Sequence, residues 1–350
     1  MSGPRPDRRR LGGLMLGAML NRAWAWRGLT GAAAATGALT GCATLPDAGS
    51  AQARALLASP PADLPRTVHL SDTPFFAQTE LQCGPATLAT LLQTIGRQVS
   101  PAELTPQLFV PERGGSLQIE MLAAPRRHDA LAIRLPQRLE ALLRELAAGH
   151  PVGVMQNLGL DWAPLWHFAV LIGFDLDRGE AILRSGTTRE QRLDLLTFER
   201  TWARAERWAF VVMPPGEVPR TAAATALRDA CLGFERVAPA ARATLAWEAA
   251  ALAWPSDPVL GMGWGNALAR AGRPEAAARA FTAVAEATDS AAAWNNLASI
   301  RLQQGRVLDA RQAARRAVLR AAAAEPELLE AVRSTQAEVE AALSRPLPAQ

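Results

Sequence analysis

The spacing of apolar side chains divides the chain into two regions with different predicted secondary structure. Residues 67–215 mix short apolar runs typical of β-strands with stretches of helical periodicity, whereas residues 221–345 are almost wholly helical in pattern and rich in alanine. Prolines and a glycine at 213–219 separate the two regions and predict a linker. We therefore expect an α+β domain at residues 67–216, followed by an all-α domain at residues 221–345.

Within the first region, two segments have the clearest patterns. Leucine or isoleucine recurs at positions 88, 91, 92 and 95, which predicts a helix that begins near residue 83 and ends at Gly96. A largely apolar run at 166–174 predicts a buried strand, and a second strand is expected at 180–185. The polar segment 175–179 predicts a turn that joins them as an antiparallel pair.

The N-terminal segment has the layout of an export signal. An arginine-rich start precedes an apolar stretch of about 14 residues, which is too short for a helix that spans a bilayer. The stretch ends in Leu39-Thr40-Gly41-Cys42 and resembles the bacterial lipobox. The resemblance implies a signal peptide at 1–41, lipid on Cys42 and a flexible tether at 42–66. Met19 is an alternative start.

The charge balance and location follow from this segment. The chain has a net charge of +4, but residues 1–41 contain six arginines and one aspartate, which leaves about −1 for the rest. The basic balance therefore does not indicate nucleic-acid binding. Ala43 follows the lipobox cysteine, which implies an outer-membrane lipoprotein that faces the periplasm of a bacterial cell envelope. No sequence motif suggests a metal or cofactor, and we expect none.

The cysteines and histidines supply the candidate chemistry. If Cys42 carries lipid, Cys83 and Cys231 remain, in different regions, and we expect no disulfide between them. Cys83 stands at a predicted helix N-terminus, where the helix dipole favours a thiolate and predicts a lowered pKa. His167 opens the apolar strand and is the natural base for this nucleophile. The alternatives are a buried cysteine that packs as a small apolar side chain and a histidine that belongs to the core.

Two segments together resemble a known family. They are QTELQCGPA, around Cys83, and WHFAVLIGFD, around His167. With the turn at 114–117 and the strand start at 149–152, they resemble the C39 peptidases, papain-like enzymes that remove bacteriocin leaders, and especially a lipoprotein branch with tetratricopeptide repeats. The resemblance covers about residues 70–215. It implies a papain-like α+β fold, a peptide or protein substrate cut after small residues, and a Gln that helps to bind the oxyanion. Gln78 is our choice for that Gln, and Gln82 is the alternative.

The third catalytic position departs from the family pattern, in which Asp or Asn on the next strand orients the histidine. Antiparallel pairing about the predicted turn puts Ser185 or Thr187 beside His167. Asp175 lies roughly 26 Å along the strand at ~3.3 Å per residue and is out of reach. Asp161, in the preceding loop, is a further candidate. The departure leaves open a non-catalytic peptide-binding module, and a thiol amidase or acyl-transfer enzyme on the same fold is another alternative.

The second region contains a repeat. Gly272 and Gly305 lie 33 residues apart, and small and aromatic residues recur with a similar period, at Ala243 and Trp247 with Pro255, at Gly265 and Leu268, at Ala277 and Phe281, and at Trp294 and Leu297. The pattern resembles about three tetratricopeptide units with a degenerate cap at each end. A generic helical hairpin bundle is the alternative. Either arrangement predicts a docking module for a protein partner.

Overall fold

The computed structural model describes residues 48–77, 82–110 and 115–344. The predicted signal peptide, the predicted lipidation residue Cys42 and the start of the predicted tether lie outside the described residues. Within the segment 42–66, which we expected to be a flexible tether, residues Ala51–Ala58 form a helix, and the N–H of Ala53 donates to Glu199 Oε2 at 2.7 Å. By their contacts, the described residues form two compact units, one that ends at Leu260 and one that begins at Gly261. This division lies later in the chain than the linker at 213–219.

An antiparallel sheet organises the first unit. The strands are β1 (Thr67–His69), β2 (Phe109–Val110), β3 (Gly115–Ser116), β4 (Leu131–Arg134), β5 (Val152–Asn157), β6 (Trp166–Asp175), β7 (Glu180–Ser185), β8 (Thr188–Asp194) and β9 (Ala209–Met213). In the described part of the chain, seven of them form one sheet in the order β4-β9-β5-β6-β7-β8, with β1 paired to β6, while β2 and β3 form a separate pair. The α+β class predicted from the sequence is confirmed.

The helices of the first unit are α1 (Ala51–Ala58), α2 (Cys83–Thr94), α3 (Pro101–Leu108), α4 (Gln118–Ala123), α5 (Leu139–Ala147), α6 (Leu195–Ala203), α7 (Ala224–Glu235) and α8 (Ala240–Ala253). Short 3₁₀ segments occupy Ala48–Ser50 and Ala124–His128. Helix α2 packs on β6, α5 packs on β5 and β6, and α6 packs on β5.

Strand β6 lies at the centre of this unit. Its residues Phe168, Val170 and Ile172 share a core with Leu88 and Leu92 of α2. The intervening residues of the strand, which point to the opposite face, are buried as well. A strand that is covered on both faces has a continuous rather than an alternating apolar pattern, which explains the run seen in the sequence.

Two helices that follow the linker belong to the first unit. Helix α7 packs against β4. Arg242 of α8 donates to both carboxylate oxygens of Asp129, at 2.8 and 2.6 Å, and Asp129 also accepts a bond from Arg97 at 2.7 Å. These polar contacts explain why the first unit extends beyond the linker. Such pairs between residues far apart in the chain cannot be inferred from local sequence patterns.

The second unit consists of paired helices. They are α9 (Pro258–Arg270), of which the part from Gly261 onward belongs to this unit, α10 (Pro274–Thr288), α11 (Ala291–Gln303), α12 (Val307–Ala324) and α13 (Leu329–Leu343), with a 3₁₀ turn at Pro326–Leu328. Gly272 and Gly305 end α9 and α11 with φ of +71° and +72°. In both turns the N–H after the glycine bonds a carbonyl five residues back, at 3.0 and 2.9 Å. The 33-residue repeat is therefore a repeat of helix-terminating turns.

No helix among the described residues is long and apolar enough to cross a membrane.

Candidate active site

Cys83 is the first residue of helix α2. The residues that follow it, from Gly84 to Leu92, are all buried, so that the helix is held tightly against the sheet. Gln82 occupies the N-cap position without a side-chain capping bond. The first-turn N–H groups are therefore not taken up by a capping side chain, and they concentrate partial positive charge near the thiol.

Close packing explains the glycine after the nucleophile. A Cβ at Gly84 would lie 2.2 Å from Ser116 Oγ of strand β3 and 3.4 Å from Met121 Sδ of α4. The contact with Met121 would be ordinary, but only a residue without a side chain allows Ser116 of β3 to approach the first turn of α2 so closely. Ser116 therefore lies next to the nucleophile, and our interpretation of the sequence gave it no role of its own.

The pKa of Cys83 does not follow the direction predicted from the helix dipole alone. Burial raises the pKa of the Cys83 thiol, while backbone N–H groups of Phe168, Gly84 and Cys83 itself lower it to a smaller extent. Loss of solvation of the thiolate therefore exceeds the stabilisation by the helix N-terminus. The predicted lowering was wrong in sign for the free protein.

His167 is the second residue of β6 and pairs with Gln156 of β5. Its ring is partly buried, and burial lowers the pKa of His167. The only cause of this shift is burial, so no described carboxylate holds a proton on the ring. Burial therefore favours the neutral form of the imidazole in the free protein.

Ser185 occupies the place where a histidine-orienting residue is expected. His167 Nε2 lies 3.0 Å from Ser185 Oγ, at the end of strand β7. The β6–β7 register, with Val170 opposite Arg184, puts Ser185 diagonal to the histidine. If Nε2 bonds the serine hydroxyl, Nδ1 is the ring nitrogen that remains for the thiol.

The packing brings the two sequence motifs together. The backbone N–H of Phe168, which follows His167 directly, contributes to the electrostatics of the Cys83 thiol. Cys83 and Phe168 also belong to one buried apolar cluster. The nucleophile and the base proposed from the sequence are therefore carried by neighbouring elements, α2 and β6.

The other candidates from the sequence have different positions. Asp175 Oδ1 accepts the N–H groups of Asp177 and Arg178, at 3.0 and 2.9 Å, and is a turn residue. Asp161 and Gln82 are exposed. Gln78, the proposed oxyanion residue, lies outside the described residues.

A buried arginine near the site was missed by the sequence interpretation. Arg184 of β7 donates to the carbonyl of Ser71 at 2.7 Å, to that of Thr73 at 2.9 and 3.1 Å and to that of Arg189 at 2.5 Å. It ties the segment before the cysteine motif to the strand that ends at Ser185. The signal available in the sequence was an arginine inside an otherwise apolar strand, EAILRS.

The second thiol differs from the first. Cys83 and Cys231 are both free and buried. Burial, together with the charge of Glu235, raises the pKa of Cys231 to about 12. No group of three or more His, Cys, Asp or Glu side chains in the described segments has the arrangement of a metal site.

Comparison with known proteins gives one family. Residues 70–210 match the model of the Peptidase_C39 like family. A search of curated proteins gives no significant match.

Solved structures resemble each part of the chain. A C39-like peptidase structure from Bacillus anthracis is 18% identical, with a TM-score of 0.39, and covers 45% of this chain and 100% of its own. A double glycine motif protease from an AMS/PCAT transporter, in complex with the leader peptide, is 21% identical, with a TM-score of 0.32. The match covers 41% of this chain and 93% of the protease chain. The type III secretion chaperone SycD of Yersinia enterocolitica, bound to a peptide of the translocator YopD, is 18% identical, with a TM-score of 0.31. The match covers 33% of this chain and 90% of the chaperone chain.

The family match spans the strands and helices that carry Cys83, His167 and Ser185. It begins just after β1 and ends within β9, so it comprises most of the sheet described above. The α+β domain of this chain thus matches the C39-like peptidase family over residues 70–210, and helices with tetratricopeptide-like neighbours follow it.

Proposed function

We propose that the protein is a cysteine peptidase that cleaves peptide bonds with Cys83 as nucleophile and His167 as base. The observation that carries this proposal is the position of Cys83 at the start of α2, with the backbone of Phe168 beside its thiol and Ser185 Oγ at 3.0 Å from Nε2 of His167.

The proposed reaction starts from a neutral pair. Nδ1 of His167 takes the thiol proton as Cys83 Sγ attacks the carbonyl carbon of the substrate. The same proton then passes to the departing amine, which leaves a thioester on Cys83. Water, deprotonated by His167, attacks the thioester, and the carboxylic acid product leaves as the thiol regains its proton. The backbone N–H of Cys83 and the amide of Gln78 are the proposed donors to the oxyanion.

The decisive experiment combines labelling with cleavage. Iodoacetamide should modify Cys83 of the mature protein, and peptides with small residues at the cleaved bond should be hydrolysed. Cys83→Ala should abolish hydrolysis, and His167→Gln should lower both hydrolysis and the labelling rate. Persistence of cleavage in Cys83→Ala would refute the mechanism.

Two alternatives have different readouts. A non-catalytic peptide-binding module is favoured by the raised pKa of Cys83. It is also favoured because no carboxylate among the described residues raises the pKa of His167. It predicts peptide binding without turnover. A thiol amidase or acyl-transfer enzyme would release ammonia or join the acyl group to an added amine, which mass spectrometry of the products detects.

We also propose that the protein is exported and anchored by lipid on Cys42, in the outer membrane and facing the periplasm. The support is the arrangement of residues 1–43. Cys42→Ser should move the protein from the membrane fraction to the soluble envelope fraction, whereas unchanged membrane partitioning would refute the anchor. The helical repeats would then present a docking surface to a protein partner.

A further inference from the structure

The pairing of β7 with β8 contains a β-bulge beside the candidate active site. The register shifts between Leu183 and Ser185. At this point one residue of β7, Arg184, faces two residues of β8, Arg189 and Glu190. The extra residue of a bulge is left out of the ladder of hydrogen bonds, and bulges beside active sites commonly re-aim a neighbouring side chain. The side chain concerned here is that of Ser185, whose hydroxyl contacts the imidazole of the site.

The side chain of Arg184 closes the bulge. Nη1 of Arg184 donates to the carbonyl of Arg189 at 2.5 Å, so that this carbonyl has a partner although it lies in the irregular part of the ladder. The strand that carries Ser185 and the strand that carries the extra residue are therefore joined by a side chain as well as by their backbones. A guanidinium holds its donors in a rigid plane, so that this contact fixes direction as well as distance.

The other donors of Arg184 hold the segment that leads to the nucleophile. Nη2 donates to the carbonyl of Ser71 at 2.7 Å, and Nη2 and Nε donate to the carbonyl of Thr73 at 2.9 and 3.1 Å. Phe76, a few residues further along, is partly buried and packs against the apolar cluster that contains Cys83. One side chain therefore joins the approach to the nucleophile with the strand end that contacts the base.

Burial of Arg184 is unfavourable by itself. The residue is only 4% exposed, and burial lowers the pKa of its guanidinium. All four hydrogen bonds that it donates in the described part of the chain go to backbone carbonyls, which carry no net charge to compensate the cation. The preceding residues of the strand, Ile182 and Leu183, are buried and apolar. A cation in such a position breaks the pattern of the strand, and such departures are expected where function requires a particular geometry.

We propose that Arg184 is a positioning residue for the candidate active site, which holds the β7–β8 bulge so that Ser185 meets Nε2 of His167. The proposal rests on the peptidase function proposed above, in which Nδ1 of His167 takes the thiol proton. When Nε2–H donates to Ser185 Oγ, the neutral imidazole keeps its proton on Nε2, and Nδ1 stays free to accept. Arg184 acts through Ser185 and not on the substrate itself.

Nitrogen NMR of histidine tests this proposal without turnover. In protein labelled with ¹⁵N-histidine at pH 8, the chemical shifts of Nδ1 and Nε2 show which nitrogen carries the proton, and His167→Gln assigns the signal. Wild type should show His167 mainly with its proton on Nε2. Ser185→Ala should give a mixture of the two tautomers. Arg184→Lys should give a mixture as well, because lysine keeps the charge but lacks the planar set of donors.

A double variant shows whether Arg184 acts through Ser185. If it does, Arg184→Lys should add nothing to the effect of Ser185→Ala on the tautomer population of His167, since two residues that act as one unit are not additive. Additive effects would overturn the proposal. A folded Arg184→Lys protein with the tautomer population of wild type would overturn it too.

Two controls separate positioning from stability. Arg192→Lys, at an exposed arginine of β8, should leave the tautomer population unchanged. Ile133→Ala opens a cavity at the opposite end of the sheet and lowers stability, and it should also leave the population unchanged. If Arg184→Lys does not fold, deletion of the exposed residue Arg189 removes the bulge and should give the mixture of tautomers. The wild-type population in that deletion variant would overturn the proposal.

Cleavage assays separate this proposal from the proposed catalysis. If wild type cleaves peptides, Arg184→Lys should lower kcat by about 10- to 100-fold and leave KM nearly unchanged, since a misplacement of about 1 Å can cost about 100-fold in rate. A wild type that cleaves nothing refutes the peptidase mechanism, and the tautomer measurement still decides the role of Arg184. Wild-type kcat in Arg184→Lys refutes only the positioning role.

Discussion

Replacement of Ser185 by Asp should convert the neutral Cys83–His167 pair into one that ionises more readily. Ser185 Oγ lies 3.0 Å from His167 Nε2, so an aspartate at this position places a carboxylate oxygen at similar range. The side chain of Ser185 is only partly buried, which leaves the new charge some contact with water. The pKa of His167 is currently lowered by burial alone.

The size of the effect follows from the distance. Two unit charges about 4 Å apart interact by about 4 kcal/mol at an effective dielectric constant of about 20. Desolvation of the new carboxylate subtracts from this value, and observed shifts caused by such neighbours are about 1–3 pKa units. We expect the pKa of His167 to rise by about 1–3 units, which corresponds to about 1.4–4 kcal/mol.

The thiol should respond in the opposite direction. An imidazolium ion at His167 stabilises the thiolate of Cys83, so the midpoint of its alkylation should fall. Below that midpoint, each unit of decrease gives about tenfold more thiolate and a correspondingly faster reaction with iodoacetamide. If catalysis is limited by the formation of thiolate, kcat/KM at neutral pH should rise as well.

Two measurements test this prediction. NMR titration of ¹³C-labelled histidine gives the pKa of His167, with His167→Gln to assign its signal among the four histidines. The pH profile of alkylation at Cys83 gives the thiol midpoint. Ser185→Asn is the matched control, because it has the shape of aspartate without the charge. If Ser185→Asp leaves both midpoints where Ser185→Asn does, the assignment of Ser185 as the neighbour of the imidazole is incorrect.

Three other predictions concern the thiols, a buried carboxylate and the repeats. Iodoacetamide at pH 8 should modify Cys83 much faster than Cys231, because the pKa of Cys231 is raised to about 12; equal rates by mass spectrometry would contradict this. Glu145→Gln should lower the free energy of unfolding by about 3 kcal/mol in urea titrations, because the buried carboxylate accepts bonds from His150, Arg220 and Thr221. Since the pKa of Glu145 is lowered in the folded state, its contribution is complete above the unfolded value of 4.5 and should disappear as the pH falls below it; stability that stays constant there would oppose this. Gly265→Ala should destabilise the helical repeats by about 1–3 kcal/mol, because the added methyl would lie 2.4 Å from the Phe281 ring; an unchanged Tm would show that the ring can move aside.

Local patterns in the sequence predicted the elements that carry the site. The helical spacing after Pro85 and the continuous apolar run at 166–174 correspond to α2 and β6, whose packing partners need not be known in advance. The antiparallel turn between β6 and β7 fixed the register closely enough to predict a hydroxyl residue beside His167. The catalytic roles of these residues, and that of Gln78, stay predictions.

Long-range contacts account for what the sequence did not predict. Arg184, Asn157 and Arg204 each bond to carbonyl or N–H groups that are recognisable as partners only after the chain has folded. The division between the compact units depends in the same way on Asp129, which joins residues far apart in the chain. A polar residue in an apolar segment was the only local signal of these roles.

The direction of the Cys83 pKa shift shows why the site chemistry depends on the whole fold. The helix N-terminus is a local feature and favours the thiolate, but desolvation depends on how tightly α2, β3 and β6 pack around the sulfur. Burial therefore moves the pKa of Cys83 up and that of His167 down, and both shifts favour the neutral pair. Each unit by which the pKa of Cys83 exceeds that of His167 adds about 1.4 kcal/mol to the free energy of forming the thiolate–imidazolium pair. If the proposed peptidase is active, stabilisation must come from groups that act when substrate is bound, namely the oxyanion donors. Ser185→Asp removes part of this cost without substrate, so a large gain in labelling with a small gain in cleavage would show that bound substrate already supplies most of the stabilisation.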